Sequence, residues 1–264
     1  MIQTGDKRTL RQRVLVTGGT SGVGFAIARL ALAGGAQVVV SGRDPKRGAI
    51  AESTLRLIAP DASFVCGDAA DWDGAFDSVE QAVRLMGGLD VLISAGAEGA
   101  VPPTPFMNMS PAELQAAFGS RVFGRVFPIR AAVPHMQAAR SGSIVLLTTD
   151  AGRHATPGES IVGATGASLI MLTKALAREL SPFSIRVNAL ALTLTSDTPS
   201  WDRIFSRPGF EQRLFAKALE RFPSGRAPTA DEVARVAIFM ASESASQVTG
   251  QTLSVNGGLS FGGW

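Results

Sequence analysis

Thr17, Gly18, Gly22 and Gly24 fall in one short stretch, TGGTSGVGFAIARLALAGG, which continues the β-branched run RVLVTG. Glycines at a strand-to-helix turn let backbone N–H groups approach a pyrophosphate, and the N-terminus of the helix that follows attracts its charge. Ser21 and Val23 lie between these glycines and share the turn. A glycine triplet alone is a weak signal. Here a strand precedes it, an amphipathic helix follows, and a second strand ends about twenty residues on, where a ribose would be read. That second strand, AQVVVSG, leads into Arg43, at the place where an acid would hold the 2′-hydroxyl of NAD(H). An arginine there suits the 2′-phosphate of NADP(H). NAD(H) remains the alternative, with Asp44 free to cap the next helix or hold a ribose.

These residues need a scaffold, and the chain shows one as an alternation. RVLVTG (13–18), AQVVVSG (36–42), SFVCGD (63–68), LDVLISAG (89–96), GSIVLLTT (142–149), IRVNALA (185–191) and TLSVNG (252–257) alternate with Ala/Leu-rich helical runs. Apolar runs of this length without polar alternation are strands covered on both faces. The expected fold class is therefore α/β, a doubly wound parallel sheet of about seven strands with helices on both faces and right-handed crossovers. A polar tail over 1–12 precedes a single domain over 13–264. Within it the stretch 192–222, rich in Pro, Ser and aromatics, reads as a partly helical excursion over the site.

Composition narrows the function classes. The 264 residues are 45% hydrophobic, enough for a large core, and 25 basic against 22 acidic residues leave only +3, so no nucleic-acid partner is expected. The start, MIQTGDKRTLRQR, has no apolar targeting core, and no stretch reaches the ~18 uninterrupted apolar residues of a membrane span, which points to a cytoplasmic protein without a membrane partner. Cys66 is the only cysteine, which excludes an internal disulfide or a multi-cysteine metal site; its apolar run suggests a buried, inert thiol.

With the motifs in hand, the sequence resembles the short-chain dehydrogenase/reductase family over Arg13 to Ser260. TGGTSGVG matches its TGxxxGxG turn, GSIVLLTT and IRVNALA its fifth and sixth strands, and GRAPTADEVARVAIFMASESASQVTGQTLSVNGG its C-terminal helix and strand. The resemblance implies a single Rossmann-type domain, a nicotinamide cofactor, and homodimers or homotetramers built on two long helices. It also implies cofactor contacts from Asp68 and Ala69 after the third strand and from Ser94, Ala95 and Gly96 after the fourth.

Family chemistry rests on a serine, a tyrosine thirteen residues later, a lysine four beyond that, and an asparagine on the preceding long helix. In this sequence those positions are Thr149, Val162, Gly166 and Arg121. No realignment restores the phenol, because the chain contains no tyrosine. Lys174 offers no substitute for the lysine, since eight residues of helix place it about 80° round and two turns down. Tyrosine and lysine four apart share a helix face, where the lysine lowers the phenol's pKa and holds the nicotinamide ribose. A positioned acid or base is worth roughly 10²–10⁴-fold in rate. The family's Asn-Asn-Ala-Gly is SAGA (Ser94 to Ala97) here, and its Pro-Gly is Leu192–Thr193, so the nicotinamide half is expected to be loosely held. The helix itself keeps its apolar stripe, and its backbone is expected to accept Tyr and Lys at 162 and 166.

The polar groups expected to face the vacated space are Ser94, Arg121, Thr149, Asp150, His154 and Glu159. Thr149 can donate a hydrogen bond to a carbonyl as the family's serine does. His154 or Glu159 can act as acid or base near neutral pH. The structural alternatives are that Arg121 pairs with an acid across a subunit contact, Asp150 caps a turn and Glu159 is merely exposed. His135 is expected at the surface or at a helix cap. Three function classes follow. One is an NADP(H)-dependent oxidoreductase on a small carbonyl or alcohol with a non-standard proton donor. The second is a non-redox isomerase, cyclase or lyase on the same scaffold, favoured by Trp201, Phe205, Phe210 and Phe215 over the site. The third is a catalytically silent dinucleotide-binding subunit.

Overall fold

A computed structural model describes residues 12–96, 99 and 101–261 of the chain. Positions 1–11 of the expected tail, Lys7 among them, together with Ala97 and 262–264, lie outside the described residues. Seven strands, β1 (Arg13–Thr17), β2 (Gln37–Gly42), β3 (Ser63–Cys66), β4 (Val91–Ser94), β5 (Gly142–Thr149), β6 (Ile185–Leu192) and β7 (Thr252–Ser254), form one sheet in the order β3-β2-β1-β4-β5-β6-β7. Every pairing is parallel. The doubly wound α/β architecture read from the apolar runs is thus present.

Eight α-helices cover the sheet: α1 (Gly22–Ala33), α2 (Pro45–Arg56), α3 (Trp72–Met86), α4 (Pro111–Ala139), α5 (Ser160–Leu180), α6 (Pro199–Ser206), α7 (Phe210–Leu219) and α8 (Ala230–Ala241). Alternation along β1 shows how the two faces are built. Val14 and Val16 join the core under α1 and α8, and Leu15 joins the one under α3, α4 and α5. Local chemistry sets the helix starts: the Ser110 hydroxyl accepts from the Glu113 N–H while the Glu113 carboxylate accepts from the Ser110 N–H, and Thr229 with Glu232 repeats the arrangement on α8.

One expectation needs correction. Cys66 is exposed, because β3 is the edge strand and its last residue faces solvent. The segment Ser160–Phe183, with mean hydropathy 1.4, is long and apolar enough by length and composition to cross a membrane, although polar residues interrupt it. In this fold it packs on α4, β5 and β6 as a core helix.

The sheet order places β1 beside β4, so the chain leaves these strands in opposite directions and opens a crevice at their carboxyl ends. Gly18 follows β1 and Gly96 follows β4, and both have positive φ (67° and 71°). A side chain on Gly18 would collide with the Gly96 carbonyl, and one on Gly96 with the Arg125 guanidinium, so the two turns approach this closely only with glycine at 18.

Candidate active site

The crevice is a cleft of about 580 Å³ that starts at the β2 end, beside Arg43 and Arg47, and passes the glycine turn. It continues past Asp68, Ala69, Ala95 and Gly96 to Arg125, Thr148 and the Leu192–Thr193 turn. Of the residues singled out for a cofactor, Gly18, Ser21, Gly22, Val23, Gly24 and Arg43 line it as well. Thr17 and Ser94 do not. Both are fully buried strand ends beneath the floor, and the Ser94 hydroxyl donates to the Arg125 carbonyl at 3.1 Å. Asp44 faces its own helix, accepting from the Lys46 and Arg47 N–H groups at 2.9 and 3.1 Å, which holds its carboxyl below the usual carboxylate range.

Backbone space in the turn fits a pyrophosphate. A Cβ on Gly24 would run into the Gly18 carbonyl, and one on Gly22, at φ 55°, would sit 3.6 Å from Thr198 of the segment overhead. Only glycines leave the α1 N-terminus this open. Arg47 escaped notice in the sequence, although it stands four residues after Arg43 and one turn into α2. The two exposed guanidiniums flank the cleft end where a 2′-phosphate would lie.

Beyond Arg125 and Thr148 the cleft meets a second cavity, about 820 Å³, walled by Arg121, Thr149, Glu159 and Val162 below and by α6–α7 residues such as Ile204 and Phe215 above. A third, about 690 Å³, lies past Thr149 and holds His154, Glu159 and Phe210. Thr149 and Glu159 border both, whereas Arg121 and His154 are in separate cavities. The Thr149 side-chain oxygen accepts from the Ala151 N–H at 3.2 Å, which leaves its proton available to a ligand.

Asp150 is buried at 3% exposure and serves structure. Its carboxylate accepts from Ser254 and Asn256, each at 2.6 Å, and from Thr193 at 3.4 Å, so it binds the ends of β5, β6 and β7 together. His154 donates its backbone N–H to the Asp150 carbonyl, and its buried Nε2 has no protein partner among the described residues. His135 is half-exposed at the surface and is not a cap: it bridges α4 to α3 through Glu80 at 2.5 Å.

Glu159 is half-buried at the start of α5. Burial raises its carboxyl pKa, while the Arg121 charge and a Thr156 hydrogen bond act in the opposite sense. Arg121 is not free in solvent: its Nη2 donates to the Val101 carbonyl at 2.7 Å, and burial lowers its pKa against the Glu159 and Glu211 charges. The reading from sequence missed Arg125, one helical turn on. Its Nε donates to the Leu147 carbonyl at 2.6 Å and its Nη1 to the Arg121 carbonyl at 2.9 Å. Burial and the adjacent Arg121 charge push it down to about 10. The i, i+4 spacing of the two arginines was the available signal.

Val162 and Gly166 are both buried on α5. The short turn Asp150–Gly152 after β5 lies directly on them, so a Cβ on Gly166 would come within 2.6 Å of the Thr149 methyl and 3.1 Å of the Gly152 Cα. The expectation that this helix accepts a lysine at 166 meets an obstacle: the turn fills the space beside Gly166, and Thr149 or Gly152 has to shift before any side chain fits.

Sheet order, crevice and glycine turn define a Rossmann-type α/β domain. Residues 18–260 match the family model described as enoyl-(acyl carrier protein) reductase. A 3-oxoacyl-[acyl-carrier-protein] reductase FabG of Chlamydia pneumoniae is 32% identical over 95% of this chain and 97% of its own. The Thermotoga maritima FabG is 31% identical over 93% and 96%. Among solved structures, a short chain dehydrogenase/reductase family protein superposes with TM-score 0.79 at 36% identity, over 94% of this chain and 96% of its own. YwfH, an NADPH-dependent reductase involved in bacilysin biosynthesis, gives TM-score 0.86 at 25% identity over 95% and 98%. The chain belongs to the short-chain dehydrogenase/reductase family, a family of oxidoreductases.

Proposed function

We propose that the protein is an NADP(H)-dependent reductase of a carbonyl compound in which a carboxyl group, not a phenol, supplies the proton. The observation that carries this is the continuity of the site. One cleft runs from the Arg43/Arg47 pair past the glycine turn to Thr148 and opens on the cavity that holds Thr149 and Glu159. The FabG relatives and YwfH are named as reductases, and YwfH as NADPH-dependent, which supports the same assignment.

Arg43 and Arg47 would take the 2′-phosphate, and the N–H groups of the Gly18–Gly24 turn the pyrophosphate. When bound, the reduced nicotinamide supplies the hydride. Thr149 Oγ1 donates a hydrogen bond that polarises the substrate carbonyl and fixes its oxygen. Glu159, protonated more readily than a free glutamate, gives its proton to that oxygen as it gains negative charge, leaving an alcohol and a carboxylate that takes up a proton from water. The α6–α7 segment overhead excludes bulk water from the reacting atoms. A homodimer or homotetramer is the proposed assembly, supported by exposed Phe118 and Phe123 on α4 and Met171 on α5.

The test couples binding to turnover. NADPH should bind more tightly than NADH, and Arg43→Asp should abolish or reverse the preference. NADPH oxidation with a panel of ketones should fall about 10²–10⁴-fold in Glu159→Gln. Equal titration curves for the two cofactors would remove the NADP(H) assignment; an unchanged rate in Glu159→Gln would remove the carboxyl donor. The burial of Val162 and the closure of the turn onto Gly166 favour one other reading, a non-redox enzyme on this scaffold. Product formed without NADPH consumption would identify it.

A further inference from the structure

Among the described residues Arg125 is a cation without a counter-ion. Its half-buried guanidinium bonds only to two neutral carbonyls and has no carboxylate partner among those residues. The nearest charge acting on it is another cation, Arg121, whose own Nε is buried with no protein partner among the described residues. Removing a charge from water without pairing it is costly, and a second cation beside it raises that cost; Arg121 feels the Glu159 and Glu211 charges across the cavity, whereas no carboxylate charge acts on Arg125 among the described residues. The ordinary resolution is a ligand that brings the missing negative charge. Location says which ligand. Arg125 lines both the dinucleotide cleft, at the end away from Arg43, and the cavity of Thr149 and Glu159, which Arg121 also walls. On the proposed reading the pyrophosphate and 2′-phosphate are placed elsewhere, at the glycine turn and the Arg43/Arg47 end.

We propose that Arg121 and Arg125 form an anion site at the junction of the cleft and the reaction cavity, and that the substrate is a small oxo compound carrying a carboxylate or phosphate held by this pair. The inference rests on the reductase reading for the word substrate, but the anion site stands on the arginines themselves. The guanidinium fork of Arg125 keeps its charge at neutral pH, and Nη2, which makes no bond to a described residue, is left to the ligand. An anion seated here lies in the same cavity as Thr149 and Glu159, so one ligand can occupy the site and present a carbonyl to them.

Calorimetric titration of the whole chain tests this with acetoacetate, its neutral methyl ester and inorganic phosphate, and with NADPH in a separate titration. The acid should bind about tenfold or more tightly than the ester, as expected for a charge-assisted contact. Phosphate should compete with the acid. Arg125→Gln should erase the preference, and Arg121→Gln should weaken it, with NADPH affinity changed less than about threefold in Arg121→Gln, whose residue does not line the dinucleotide cleft. The acid-to-ester comparison in the unmodified protein needs no variant, so it holds if Arg125→Gln folds poorly. Equal binding of acid and ester overturns the proposal. So does a large loss of NADPH affinity in Arg125→Gln, because the ligand phosphate would then be the cofactor's. Acid preference in a protein that does not bind NADPH would sink the reductase reading and leave the anion site standing.

Discussion

Side chains around Thr149 divide into those that hold the fold and those that face the cavities, and the two acids nearby illustrate the division. Asp150, 3% exposed, accepts three hydrogen bonds from residues at the ends of β6 and β7. Truncation would take the acceptor from the half-buried Ser254 hydroxyl and one acceptor from the Asn256 amide, which keeps Ser260, so Asp150→Ala should cost about 1–3 kcal/mol in denaturant unfolding. A loss below 1 kcal/mol would mean that water replaces the carboxylate. Glu159 is the opposite case. Burial raises its folded-state pKa, so the native chain holds that proton more tightly than the unfolded chain does. Its contribution is complete below the unfolded value and is lost as pH rises through the folded one. Glu159→Gln should therefore flatten the decline in stability that the parent shows as pH rises from about 4 towards neutrality. Melting temperatures that fall equally in both proteins over that range would show that the Arg121 charge outweighs burial.

Between elements, the α5 glycines are the decisive contact, and they separate propensity from packing. A helical Gly→Ala change gains about 1 kcal/mol where there is room. Gly119 on α4 has room: an added Cβ would meet only Phe123, at 3.9 Å. Gly166 has none, with the Thr149 methyl at 2.6 Å and the Gly152 backbone at 3.1 Å. Overpacking of that kind costs about 1–3 kcal/mol. Gly119→Ala should thus raise stability and Gly166→Ala lower it, and Thr149→Ser should recover part of the Gly166→Ala loss by removing the methyl. Denaturant midpoints measured as a double-mutant cycle give the coupling directly; additive effects would show that the turn moves away at no cost. The sequence showed that the lysine was absent. It could not show that the turn fills the space, because that depends on where Gly152 sits against α5. Arg125 was hidden for the same reason: SRVFGRVFPIR reads as an ordinary helix until the fold lays it against the ends of β4 and β5.

Across the whole molecule, the parts that were legible are the ones whose burial is dictated by sheet geometry. Runs covered on both faces announce themselves, so the seven strands and their helices follow from apolar pattern alone. Edge position does not, which is why Cys66 was misjudged. The excursion over 192–222 was legible as irregular, but not as a body with its own small core. Leu194, Ile204, Phe215 and Phe222 pack together there, with Trp201 tilted on Phe205 at 4.6 Å. That body rests on the main domain where Phe210 lies against Gly158, Phe222 against Gly257 and Thr198 over Gly22. Ser196 exchanges backbone hydrogen bonds with Pro228 and Ala230, and the next residue, Asp197, has φ 59°, a conformation a non-glycine residue holds only under constraint. With its own core and Thr198 resting over Gly22, the segment forms the roof of the cleft, and a dinucleotide in that cleft would lie beneath it. NADPH should therefore slow amide hydrogen exchange across α6 and α7 several-fold while β5 and β6 exchange unchanged, and should alter Trp201 fluorescence. Protection confined to the glycine turn, with α6 and α7 exchanging as before, would show that the segment is a fixed wall and that substrate enters past it instead of under it.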